Sequence, residues 1–180
     1  MKSLVIIPSR LNSTRLPEKP LILIKGKSLV SRVYHQVKKC KNKTDILIAT
    51  DNEKIVDHVK SFNGEVVLTN EKHISGTERC NEAVQSLNKT YDLIINVQGD
   101  EPIINPKLID EIINTFDDIN DEIITVAKEI NNPIEIDNEH IVKVKFNSEM
   151  IAKDFFRKSK NKNENLFYKH YGIYAFKPSI

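Results

Sequence analysis

The chain has 180 residues, 39% of them hydrophobic and 29% charged, with a formal net charge of +2. That length suits one domain with a full core, or one domain with a small appendage. So small a charge argues against bulk electrostatic attraction to nucleic acid or membrane, and two cysteines outside any Cys-x-x-Cys pair, Cys40 and Cys80, argue against a disulfide framework or a zinc site.

The apolar run before Pro8 is too short for a signal-peptide core or a membrane span, so a cytoplasmic protein is expected. Leu4 to Ile7 reads as a buried first strand. The stretch after it, Pro8 to Leu21, carries Arg10, Arg15 and Lys19 around the hydroxyls of Ser13 and Thr14. Pro8, Pro17 and Pro20 bar regular helix or central strand there, so the cations are expected on an irregular loop. The carboxyl end of a first parallel strand is where open α/β sheets bind ligands. Three convergent cations suit a polyanion such as a nucleoside triphosphate; a solvated loop with scattered charges is the alternative.

Leu29, Val30, Val33 and Val37 recur at helical spacing, and Asp45 to Asp51 reads as a second strand. A helix over 52–62 follows, stopped by Asn63-Gly64, and then a strand over 65–69. Ser75 and Glu78 have capping-box spacing and open another helix. Asp92 to Gln98 is the most strand-like run, and Asn105-Pro106 starts a helix carrying Leu108, Ile109, Ile112, Ile113 and Phe116. This alternation predicts a parallel sheet wrapped by helices over 1–121. Beyond Glu122 the texture becomes β-rich, with strands expected over 123–130, 141–146, 150–156 and 171–176 and a tight hairpin turn at Asn147-Ser148. The extension over 122–180 is expected to belong to the same domain.

The five glycines form no Gly-x-Gly-x-x-Gly and no Gly-Lys-Ser/Thr, so backbone cradling of phosphate is unsupported and side-chain cations must neutralise it. Arginine can bridge two phosphate oxygens, whereas lysine brings a mobile point charge. A second constellation, Asn96-Val-Gln-Gly-Asp-Glu-Pro102, places Asp100 just past a buried strand. A carboxylate there suits magnesium, and equally suits a strand-ending turn. The third, Ser75-Gly-Thr-Glu-Arg79, is a helix start that can also meet an anion or a base edge.

Together the segments Arg10 to Leu21, Ser75 to Arg79 and Asn96 to Pro102 resemble the motifs of the 3-deoxy-manno-octulosonate (Kdo) cytidylyltransferases, the CMP-Kdo synthetases. The resemblance implies a Rossmann-like three-layer αβα nucleotidyltransferase fold, of nucleotide-diphospho-sugar transferase type, with a β-rich extension for sugar binding and dimerisation. It implies magnesium-dependent formation of CMP-Kdo and pyrophosphate from CTP and Kdo, for lipopolysaccharide biosynthesis, by a homodimer that needs neither nucleic acid nor membrane. Arg10, Arg15, Lys19 and Asp100 would be catalytic, with Asp100 the metal ligand. Pro8, Ser13, Ser75, Gly76, Thr77 and Gln98 would join the cations in binding nucleotide, and Arg157, His170 and Tyr174 would bind the sugar. Ile74 stands where the family often has glutamine. The family also extends past the position of Ile180, where a second acidic metal ligand is expected, so the chain is expected to be a partial form with weak activity or none. Two further readings are a cytidylyltransferase for 8-amino-Kdo or a nonulosonate, and an inactive CTP-binding remnant.

Overall fold

The computed structural model describes residues 1–12, 16–118, 122–158 and 167–178. It divides into two compact units, Met1–Ile124 with Tyr174–Ile180, and Thr125–Ile173.

In the first unit, β1 (Ser3–Ser9) leads through a single 3₁₀ turn at Lys19–Leu21 to a small hairpin of β2 (Leu23–Ile24) and β3 (Lys27–Ser28). Lys25 and Gly26 both take positive φ at its tip, as a tight two-residue turn requires. Then come α1 (Leu29–Val37), β4 (Thr44–Thr50), α2 (Glu53–Ser61), β5 (Val66–Leu68), α3 (Gly76–Gln85), β6 (Leu93–Asn96) and α4 (Pro106–Asp118). The strands lie in the order β5-β4-β1-β6, all parallel. Leu4 and Ile6 on one sheet face pack with Leu47, Ala49, Ile94 and the α3 residues Cys80 and Ala83. Period-2 alternation sends Val5 and Ile7 to the other face, where α1 packs on β1, on β4 and against α4. α1 also meets α2 through Tyr34 and Phe62, whose ring centroids are 5.4 Å apart. The expected α/β layering is what the chain adopts. Among the described residues, no helix is long and apolar enough to cross a membrane.

Pro8 corrects the expectation that proline bars a central strand. It pairs with Ala49 inside β1, and β1 reaches Ser9–Thr50 on the β4 side. On the other side Val97 N donates to Ile6 O at 3.0 Å, so Ile6 and Pro8 face β6 by alternation. Lacking an N–H, Pro8 ends that ladder at Ile6–Asn96. Pro20 is also accommodated, at the first turn of the 3₁₀ segment, where a missing donor costs least.

In the second unit, β7 (Ile123–Glu129, beginning in the first unit) and β8 (Lys143–Phe146) both pair with β10 (Tyr168–Phe176), and β8 also pairs antiparallel with β9 (Ala152–Phe156). A short helix, α5 (Pro133–Asp137), was not expected; Asn132 caps it by accepting from Ile134 N. The expected tight turn at Asn147-Ser148 is instead a longer loop. Asn147 N donates to Ile151 O, its Oδ1 accepts from Glu149 N and Ile151 N, and Met150 takes φ 62°. An asparagine that bonds its own downstream backbone builds a wider turn than a two-residue hairpin. The last residues of β10 return to the first unit, Tyr174 to Phe176 running antiparallel to Asn96 to Ile94.

Candidate active site

Five of the expected residues, Pro8, Arg10, Lys19, Gln98 and Asp100, line one cavity of about 260 Å³ with Ser9 and Gly99. It opens where β1 and β6 end, the end of a parallel sheet that binds ligands. The Lys19 ammonium donates to Asp100 Oδ2, and about half of the Asp100 side chain stays exposed. Lys19 is held by the 3₁₀ turn that it begins, with Leu21 N donating to Glu18 O at 2.9 Å. Glu18 in turn pairs with Lys54 of α2.

Gly99 sets the distance between the two strand ends. A Cβ on it would stand 2.7 Å from Pro8 O and 2.9 Å from Ser9 Oγ, so only glycine lets the segment before Asp100 lie against β1. Gly76 also brings α3 close to β1, less tightly: a Cβ there would stand 3.3 Å from Pro8 Cγ, which would have to give by a few tenths of an ångström. The α3 N-terminus carries the expected cap: Ser75 Oγ accepts from Glu78 N at 3.1 Å. The Glu78 carboxylate accepts from Ile74 N rather than from Ser75 N, one residue earlier than a capping box requires. Thr77 is exposed on the first turn. Asn96 is buried, and its Oδ1 has no hydrogen-bond partner among the described residues. Ser13 and Arg15 lie outside the described residues.

Tyr174 lies in β10 opposite Asn96, and burial raises its phenol pKa. Arg157 and His170 belong to the second unit. Arg157 Nη1 donates to the carbonyls of Glu139 and His140 at 3.1 and 3.2 Å. Thr125 Oγ1 has one proton, which goes to Ile173 O at 2.7 Å. His170 Nε2 lies 2.7 Å from the same Thr125 Oγ1 and is therefore the donor to that hydroxyl oxygen. Burial lowers the His170 pKa, as it disfavours the charged ring.

Two buried cations escaped the sequence reading of roles. Arg79 is 2% exposed and pairs with Asp51 at 3.0 Å. Lys143 is fully buried, its ammonium donating to Asn138 O and Arg157 O, both at 2.7 Å. Signals existed for the first pair: Arg79 falls on the face of α3 that also presents Cys80 and Ala83, and Asp51, like Asp100, follows a buried strand.

A larger cavity, about 650 Å³, opens at the opposite strand ends near Leu4, Thr44, Asp45 and Tyr91. Its Tyr91 hydroxyl is held by Asp45 at 2.8 Å, and burial and that carboxylate push the phenol up to about 12. It is the wrong end of the sheet for the chemistry of the motifs.

Residues 4–179 match the family model of the cytidylyltransferases, and the chain belongs to that family of nucleotidyltransferase enzymes. Within it the chain is of CMP-Kdo synthetase type. It is 40% identical over 194 aligned positions to the 3-deoxy-manno-octulosonate cytidylyltransferase of Parabacteroides distasonis, covering 100% of this chain and 76% of that protein. It is 39% identical to the 8-amino-3,8-dideoxy-manno-octulosonate cytidylyltransferase of Shewanella putrefaciens, over 98% of this chain and 75% of that one. A solved structure of CMP:2-keto-3-deoxy-manno-octonic acid synthetase complexed with CTP superposes with a TM-score of 0.90 at 31% identity, covering 99% of this chain and 75% of that chain.

Proposed function

We propose that the chain transfers the cytidylyl group of CTP to the anomeric hydroxyl of Kdo, releasing pyrophosphate, in a magnesium-dependent reaction. What supports this most is the convergence of Arg10, Lys19 and Asp100 in one cavity at the ends of β1 and β6. The hydroxyl oxygen forms a bond to the α-phosphorus in line with the departing pyrophosphate, a reaction helped mainly by positioning and charge neutralisation. Arg10 bridges phosphate oxygens with its fork, and Lys19 follows the charge that builds on the leaving group. Arg15 joins them on this reading. Ser75, Gly76 and Thr77 with Gln98, Pro8 and Ser13 receive the nucleoside, and Arg157, His170 and Tyr174 receive the sugar, Arg157 at its carboxylate.

Magnesium fits Asp100. The carboxylate is a hard oxygen donor, half exposed. Among the described residues it belongs to no larger cluster of His, Cys, Asp or Glu that could hold a metal. That arrangement suits an ion held through one carboxylate, waters and substrate phosphates. Bound there, the ion supplies charge neutralisation at the phosphates.

We place the reaction in the cytoplasm, in a homodimer, its product serving lipopolysaccharide biosynthesis. A second acceptor, 8-amino-Kdo, is favoured by the Shewanella relative at nearly the same identity. Pyrophosphate release with CTP and magnesium tests the reading, using Kdo, 8-amino-Kdo and a nonulosonate in turn. Turnover with Kdo above the other two is expected. Turnover with 8-amino-Kdo alone moves the assignment to the second acceptor, and CTP binding without release for any acceptor overturns both.

A further inference from the structure

The Arg79–Asp51 pair does more than fill the core. Arg79 Nη2 donates to Asp51 Oδ2 at 3.0 Å, and Nη1 to Thr69 Oγ1 at 2.5 Å and Asn70 O at 3.3 Å. The other Asp51 oxygen, Oδ1, accepts from Leu11 N at 3.1 Å. Thr69 passes its own proton to Thr50 O at 3.0 Å. One guanidinium thus gathers α3, the ends of β4 and β5, and the residue next to Arg10. As a stability device, a buried ion pair is poor, because desolvation offsets most of the attraction and apolar residues would serve as well. What it provides here is a directed acceptor for Leu11 N–H. It also provides charge compensation. Asp51 and Arg10 line one cavity of about 350 Å³ with Asn52, Glu71, Lys72 and His73, where an uncompensated Asp51 would repel an incoming polyanion.

We propose that Asp51 and Arg79 are positioning residues for CTP: Asp51 fixes the Leu11 backbone and so aims Arg10 at the triphosphate, while Arg79 orients and neutralises Asp51. The proposal rests on the reading of Arg10 as a phosphate ligand. Calorimetric titration of the full chain with CTP and magnesium tests it across Arg10→Ala, Asp51→Asn and the double variant. Each single change is expected to weaken CTP about tenfold, and the double variant to bind within about twofold of Arg10→Ala, because both remove one unit. Multiplying losses in the double variant, or unchanged affinity in Asp51→Asn, overturn the proposal while leaving Arg10 as a ligand. Unchanged affinity in Arg10→Ala overturns that reading and this one together. Arg79→Lys should recover part of the affinity lost in Arg79→Met; equal affinities count against it. Should the Asp51 and Arg79 variants fail to fold, amide exchange in the unaltered protein decides: Leu11 N–H is expected to be protected, and exchange at an open-loop rate overturns the proposal.

Discussion

Arg10 and Lys19 of the first unit and Lys143 of the second use their charge in opposite ways. In the first, Arg10 and Lys19 stand at a strand rim, partly open to solvent, and the bond that Lys19 makes is to another rim charge, Asp100. In the second, Lys143 is buried and its ammonium donates to the carbonyls of Asn138 and Arg157 in its own unit. A cation bound to a rim carboxylate can exchange that partner for a phosphate at little cost, since both states are charge-paired and wet. A buried ammonium has no such exchange open to it, since leaving its carbonyl partners would strand its own charge in the core. The first pattern suits a ligand, the second the shape of its own unit.

The largest effect should follow Asp100→Asn, with pyrophosphate release falling about 100-fold or more because charge stabilisation in the transition state is lost. Its circular dichroism should stay unchanged; unfolding instead would make Asp100 structural and break the contrast. Gly99→Ala comes next. Its methyl must push Pro8 O away, so urea denaturation should show a loss of about 1–3 kcal/mol, as for other overpacked sites. CTP affinity should fall with it. Lys143→Met removes the ammonium from its two carbonyl partners, Asn138 O and Arg157 O, and should cost about 1–3 kcal/mol in stability while leaving CTP affinity alone. A loss of CTP affinity there would show that Lys143 is not merely architectural. Ser75→Ala removes the α3 cap and should cost about 1 kcal/mol in thermal or urea unfolding.

The smallest effect is a pH slope. Burial lowers the His170 pKa below the ordinary value of about 6.5. The stability tied to its neutral ring is therefore complete above about pH 6.5 and is lost as pH falls through the lower folded value. Urea midpoints measured from pH 8 to pH 5 should fall less steeply in His170→Gln than in the unaltered chain.

Much of this was legible in the chain itself. The strand–helix alternation up to Phe116 and the Asn and Ser caps rest on local chemistry, namely periodicity and capping side chains, whereas the grouping of Arg10 and Lys19 with Asp100 was implied by the motif resemblance. What escaped is non-local. Whether Pro8 can sit in a central strand depends on which neighbour its nitrogen faces, a matter of register. Lys143 looks like an alternating strand residue until the carbonyls of Asn138 and Arg157 are found around it. Asp51 and Arg79 are separated by 28 residues, and neither one's position on its own element shows that the other is its partner.

Pro8 has one more consequence. A strand that outlasts its neighbour leaves donors and acceptors in the open, a template on which a foreign peptide can add itself as another strand. Pro8 removes the donor on the side where β6 has stopped pairing, and Gly99 covers its carbonyl. At this point beside Arg10 and Gly99, β1 presents no donor to an added strand.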